Sequence, residues 1–135
     1  MHTVTIAALI LTALPSVAED WETIVTTQSY DVLVDLDAYN VQDGLPYITF
    51  NTAYKASQSY HVNAVQFDFL QKHTTTQFDC AAHTYKNLKT LYYKQNKQLV
   101  GRGGSQNKFS AIPPNSTLAS LESLVCQVHK MVGGH

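Results

Sequence analysis

Apolar and polar residues alternate with period two through most of this chain and switch to a period near 3.6 only at its C-terminal end. From Trp21 to Gln28, Trp21, Thr23 and Val25 alternate with Glu22, Ile24 and Thr26. From Tyr30 to Asp37, Tyr30, Val32, Val34 and Leu36 share one face; Asp31, Asp35 and Asp37 take the other, with Leu33 the one apolar residue among them. Asp43-Gly44, with Pro46 just after, predicts a turn. A third strand is predicted over Tyr47 to Lys55, then a polar connection over Ala56 to His61. Val65, Phe67 and Phe69 alternate with Ala64, Gln66 and Asp68, a fourth strand reaching about Lys72. Phe78, Cys80 and Ala82 lie on one face of a fifth, which runs on to Tyr93 with a phase change near Leu88 that predicts a bulge. Gln95 to Gln98 is a polar hairpin tip, and Leu99-Val100 opens a return strand interrupted by glycines at 101, 103 and 104.

Pro113-Pro114 cannot join a central ladder. Ser116 is a good N-cap, and Leu118, Leu121, Val125 and Val128 then recur at helical spacing with Leu124 on the flank. Gly133-Gly134 ends the helix. The predicted fold class is therefore α+β: a single antiparallel β-sheet of about five to six strands with one packed C-terminal helix. Were the helical stripe exposed, it would instead serve a homodimer, which stays open at this stage.

The N-terminal 18 residues read as a cleavable secretion signal. Val4 to Leu14 is an uncharged run of roughly 11 residues, too short for a bilayer that needs about 20. Pro15 breaks it, small residues follow at Ser16-Val17-Ala18, and Glu19-Asp20 turn abruptly polar. Met1-His2-Thr3 departs from the usual start in lacking Lys or Arg; the alternative is a buried N-terminal strand or helix. The expected organisation is a signal over 1–18 and one domain over 19–135, free in the periplasm or outside the cell. No Cys follows the signal, so no lipid anchor is expected, and no later run predicts a transmembrane segment. In an oxidising compartment the only two cysteines, Cys80 and Cys126, are expected to form a disulfide. Two buried thiols or a bridge between chains are the alternatives.

Charge is unevenly placed. Before Tyr85 the charged residues are acidic except for Lys55 and Lys72; from Tyr85 on they are basic except for Glu122. Internal pairing of the two halves is the plain expectation, and two separate patches the alternative. Little supports catalysis: no nucleophile elbow, zinc-protease motif, phosphate loop or dinucleotide fingerprint is present. Gly101-Arg102-Gly103-Gly104 opens no helix and reads as a flexible arm. Asp35 and Asp37 read as a solvated strand face. His61, His73, His83, His129 and His135 show no metal-ligand spacing, so no metal site and no cofactor are expected; a scattered-ligand metal or haem site is the alternative. Asn115-Ser116-Thr117 matches a glycosylation acceptor but serves equally as a helix cap.

The most suggestive surface feature is the basic hairpin. Lys86, Lys89, Lys94, Lys97, Arg102 and Lys108 are interleaved with Tyr85, Tyr92, Tyr93 and Phe109. Such interleaving binds anions, acidic protein segments or nucleic acid. A secreted protein seldom meets nucleic acid, so a protein partner or a glycosaminoglycan is expected instead. The candidate partner surface is Tyr92, Tyr93, Lys94, Lys97 and Arg102.

The order of landmarks resembles the surface-adhesin protein E family of Gram-negative bacteria. They are Trp21, Val34-Asp35-Leu36-Asp37, Phe78-Asp79-Cys80, Tyr92-Tyr93 before a hairpin, Phe109-Ser110-Ala111-Ile112-Pro113 running into Asn115-Ser116, and a helix with Leu121 and Val125-Cys126. The resemblance covers nearly all of the chain after the signal. It implies one antiparallel sheet with an attached C-terminal helix and a bacterial envelope location. For the best-known member it implies adhesion to host extracellular-matrix proteins from a lipid anchor, which this chain's Glu19-Asp20 does not supply. The expected function is thus a non-enzymatic, secreted or surface-associated adhesin with a role in host interaction and virulence; a small inhibitor of an envelope or host enzyme is the alternative.

Overall fold

Strands form where β-branched and aromatic residues alternate, and a computed structural model, which describes residues 20–133, shows how they join. The elements are β1 (Glu22–Thr26), β2 (Tyr30–Val34), β3 (Asn40–Gln42), β4 (Leu45–Val62), β5 (Val65–Asp79), β6 (Thr84–Tyr93), β7 (Leu99–Gly103), β8 (Ser110–Ala111) and α1 (Thr117–Met131). All strands belong to one sheet in the order β1-β2-β4-β5-β6-β7, with β3 also on β4 and β8 also on β6. Every pairing is antiparallel. The α+β class is as expected, but the sheet has eight strands rather than five or six. The additional ones, β3 and β8, are too short for a periodic pattern to reveal.

Long central strands are the main departure from the sequence expectation. Ala56 to His61 is not a connection but the outer part of β4, paired with β5 as far as Val62↔Val65. Its side chains are mostly exposed, so its polarity reports solvent around it, not unpaired backbone. Asn63, at φ 56, supplies the left-handed residue that closes this hairpin tightly. Phe78 lies at the end of β5, next to its last residue Asp79, instead of opening a strand; the chain turns over residues 80–83 and resumes at Thr84. In that turn Ala82 N–H donates to Asp79 Oδ1 at 3.2 Å, and His83 sits at φ 57. The bulge near Leu88 is present: pairing steps from Thr75↔Lys89 to Thr76↔Asn87. Asp43 (φ 54) and Gly44 (φ 78) make the expected turn, between β3 and β4. Asp35 and Asp37 are not on a strand, because Asp35 Oδ1 accepts from Asp37 N–H at 3.0 Å and caps a short 3-10 turn over Leu36–Ala38.

The core lies between α1 and one end of the sheet. Val32 and Val34 on β2, Ile48 and Phe50 on β4 and Phe78 on β5 meet Leu121 and Val125 on α1. Leu121, Val125, Ile48 and Phe78 are 0% exposed, so the helical stripe is spent within the monomer and is not a dimer face. Ser116 caps α1, its hydroxyl accepting from Ala119 N–H at 3.1 Å. A Cys80–Cys126 disulfide, with Cα atoms 5.8 Å apart, fastens the middle of α1 to the β5–β6 turn. The signal expected over 1–18, and His135, lie outside the described residues.

Candidate functional site: a basic hairpin between two aromatic faces

Successive residues of a strand point to opposite faces, so Tyr92 and Tyr93 cannot act side by side. Tyr92 sits in register with Lys72 and Gly101, Tyr93 with Gln71 and Leu99. On the helix side, the Tyr92 ring lies 4.7 Å from Phe69 and 5.2 Å from both Phe67 and Tyr60. Tyr60 stacks flat on Phe67 at 4.6 Å. The contacts continue through Tyr54, 5.7 Å from Phe69, to Tyr30 at 5.8 Å, and Tyr30 shares its face of β2 with the core residues Val32 and Val34. An aromatic strip thus extends the core beyond the helix to the outer sheet. Burial there pushes the Tyr92 phenol above its ordinary 10.0, with the Tyr60 and Tyr54 phenols adding to the effect.

Tyr93 belongs to the other face. Its ring is 4.5 Å from His73, and His73 is 5.3 Å from Trp21. Asn51 lies opposite His73 in the ladder and between Phe50 and Thr52, so it too points away from the helix. Trp21, Asn51, Gln71, His73, Tyr93 and Lys97 line a cavity of about 290 Å³. Asn51 Nδ2 donates to Gln71 Oε1 at 3.3 Å, while its Oδ1 is buried and accepts nothing.

The cations are divided as well. Lys94, Lys97 and Arg102 are all exposed. Lys97, at φ 60 in the 3-10 turn over Gln95–Lys97, lines the Trp21 cavity. Arg102 pairs with Leu91, which pairs with His73, so Arg102 shares the cavity's face. Lys94 borders a separate depression with Asp68 and Asn96. Lys86 is held over the Phe109 ring, 4.9 Å from its centre. Internal pairing of the acidic and basic halves, the plain expectation, does not hold among the described residues. There the ion pairs are Lys55–Asp31 at 3.8 Å, within the acidic half, and His83–Glu122 at 2.8 Å. The hairpin cations therefore keep their charge for solvent or a partner. Of the five residues expected to form one surface, Tyr93 and Lys97 line one cavity and Arg102 shares its face; Tyr92 is committed to packing and Lys94 borders a separate depression.

Sequence reasoning missed Trp21, Asn51 and His73 as neighbours. They are far apart along the chain, and only the registers of β1 on β2, β2 on β4 and β4 on β5 assemble them. Two further histidines serve packing or surface contacts. Buried His129 Nδ1 lies 2.6 Å from the Tyr39 hydroxyl, and exposed His83 Nδ1 lies 2.8 Å from Glu122 Oε2. No group of three metal-ligating side chains occurs among the described residues, and no helix among them is long and apolar enough to cross a membrane.

A family model described as surface-adhesin protein E matches residues 21–127. Among solved structures, crystal form II of Haemophilus influenzae protein E resembles this chain with a TM-score of 0.57 at 12% identity. The likeness covers 78% of this chain and 93% of that one, and at such identity it speaks for the fold alone. No curated protein matches the chain.

Proposed function

The chain belongs to the surface-adhesin protein E family, and from that premise we propose that it is a non-enzymatic, secreted or surface-associated binding protein whose partner is a host extracellular-matrix protein. The observation that carries the choice of surface is the unpaired charge on the β6–β7 hairpin. Lys97 and Arg102 stand exposed beside Tyr93 on one face, Lys94 stands at the edge, and none of these cations has an ion-pair partner among the described residues. Exposed cations speed encounter with an acidic partner, and a rigid tyrosine adds contact area at small entropic cost. In this reading Tyr92 holds the hairpin in shape and does not touch the partner.

The test is binding of the purified protein to a coated basement-membrane matrix at low and physiological salt. Changing Lys94, Lys97 and Arg102 together to Glu should leave the fold intact, since exposed charges contribute little to stability. It should weaken binding by about tenfold or more at low salt, with a smaller difference at high salt. Unchanged binding in the folded variant would move the partner surface off the hairpin.

A further inference from the structure

We infer that the cavity under Trp21 is a saccharide site that takes one carboxylate-bearing pyranose of an acidic glycan. The inference is separate from the adhesin reading. A matrix protein held by the hairpin cations needs no cavity, and a sugar in the cavity needs no protein partner.

The cavity's chemistry is mixed in the way a sugar is mixed. A pyranose offers apolar C–H faces and a rim of hydroxyls. Trp21, His73 and Tyr93 form a wall of rings in contact with one another at 5.3 and 4.5 Å. Asn51 and Gln71 set amides between them, already joined by one hydrogen bond of 3.3 Å. Size agrees with a small ligand: about 290 Å³ lies just under the roughly 300 Å³ at which ordinary ligand cavities begin. That is room for a single sugar ring.

Two further observations point to a ligand. Asn51 is 6% exposed, and its Oδ1 has no hydrogen-bond partner. Leaving a buried acceptor unmade is costly, and an amide oxygen can be satisfied only by an N–H or O–H, which a sugar hydroxyl supplies. The second is charge. Lys97 lines the cavity. Lys89, opposite Thr75, and Arg102, opposite Leu91, stand on the same face by ladder register. On the cavity's face Asp31 stands two strands from Gln71, with Lys55 3.8 Å from it; Asp68, three residues from Gln71 on β5, borders the separate depression beside Lys94, and Asp20 and Glu22 flank Trp21 in the chain. A neutral sugar would leave this field unused, whereas a carboxylate directed toward Lys97 would not.

Trp21 is the protein's only tryptophan, so its fluorescence reports the cavity directly. The purified protein is titrated with a hyaluronan tetrasaccharide and with sialyllactose; cellotetraose and lactose are the neutral controls. The expected result is a saturable fluorescence change with at least one acidic sugar and a response to its neutral control at least about tenfold weaker. The two acidic probes distinguish a uronic from a sialic residue. Asn51→Leu and Tyr93→Ala should each weaken binding by about tenfold or more, read by calorimetry alongside circular dichroism. Lys97→Gln should narrow the preference for acidic over neutral sugar. Matrix binding should survive Asn51→Leu, which keeps the hairpin charge, so failure of one reading is told from failure of the other. Absence of a saturable response to either acidic sugar overturns the inference. So does equal binding of acidic and neutral sugars, or undiminished binding in both folded variants.

Discussion

Gly101 stands opposite Tyr92 in the β6–β7 ladder, with the Phe67 ring laid against it: a Cβ added there would overlap Phe67 Cε2 and Cζ. In the sequence this glycine looks like part of a flexible arm. In the fold it is a close-approach position that lets Phe67 stack on Tyr60 and meet Tyr92. Gly101→Ala should force the ring aside and destabilise by about 1–3 kcal/mol, the usual cost of overpacking, measured by urea denaturation. Tyr92 gives a pH-dependent companion. Its pKa is raised in the folded state, so the neutral phenol is favoured by folding. The stability this lends is fully present below 10.0 and is lost as pH rises through the folded value. Ultraviolet titration should show a phenol ionising above the ordinary 10.0, and Tyr92→Phe should remove that step.

At the scale of elements, α1 is the part most completely legible in the sequence. Its period, its Ser116 cap and its Leu121–Val125 stripe all appear in the structure because a helix and its cap are local. Leu121→Ala should cost about 2–5 kcal/mol, as truncation in a packed core does; a thermal melt reads the shift. Replacing Cys80 and Cys126 together by Ser should cost about 2–5 kcal/mol, since the bridge spans 46 residues and fastens helix to sheet. Strand lengths were less legible. Gln58 to Val62 is mostly polar and exposed, with Tyr60 alone packed inward on Phe67, yet its backbone pairs with β5 residue for residue. Polarity marks exposure, and an exposed strand has the composition of a loop.

For the whole molecule, the sheet is anchored at the helix end and thins to a two-stranded arm at the tip of β4 and β5. Val62 and Val65 at that tip are 48% and 54% exposed, against 0% for Ile48 and Phe78 near the helix. Opening of the tip exposes little apolar area. Backbone amides of His61 to Gln66, all exposed, should therefore exchange with solvent at least about a hundredfold faster than those of Phe50 and Thr74; hydrogen-exchange mass spectrometry checks this. Equal protection would mean that a further surface covers the arm. By itself the sequence determined what depends on near neighbours: alternation, turns at Asp43-Gly44, the bulge at Leu88, the capped helix and an uneven distribution of charge. Tertiary structure alone decided which residues meet across the ladder. Register sent Tyr92 into an aromatic strip and Tyr93 to the opposite face. It brought Trp21, Asn51 and His73 together, and among the described residues it left the hairpin cations without ion-pair partners. Those outcomes follow from pairing between distant strands, where a shift of one residue turns every side chain over, and no local pattern records that choice.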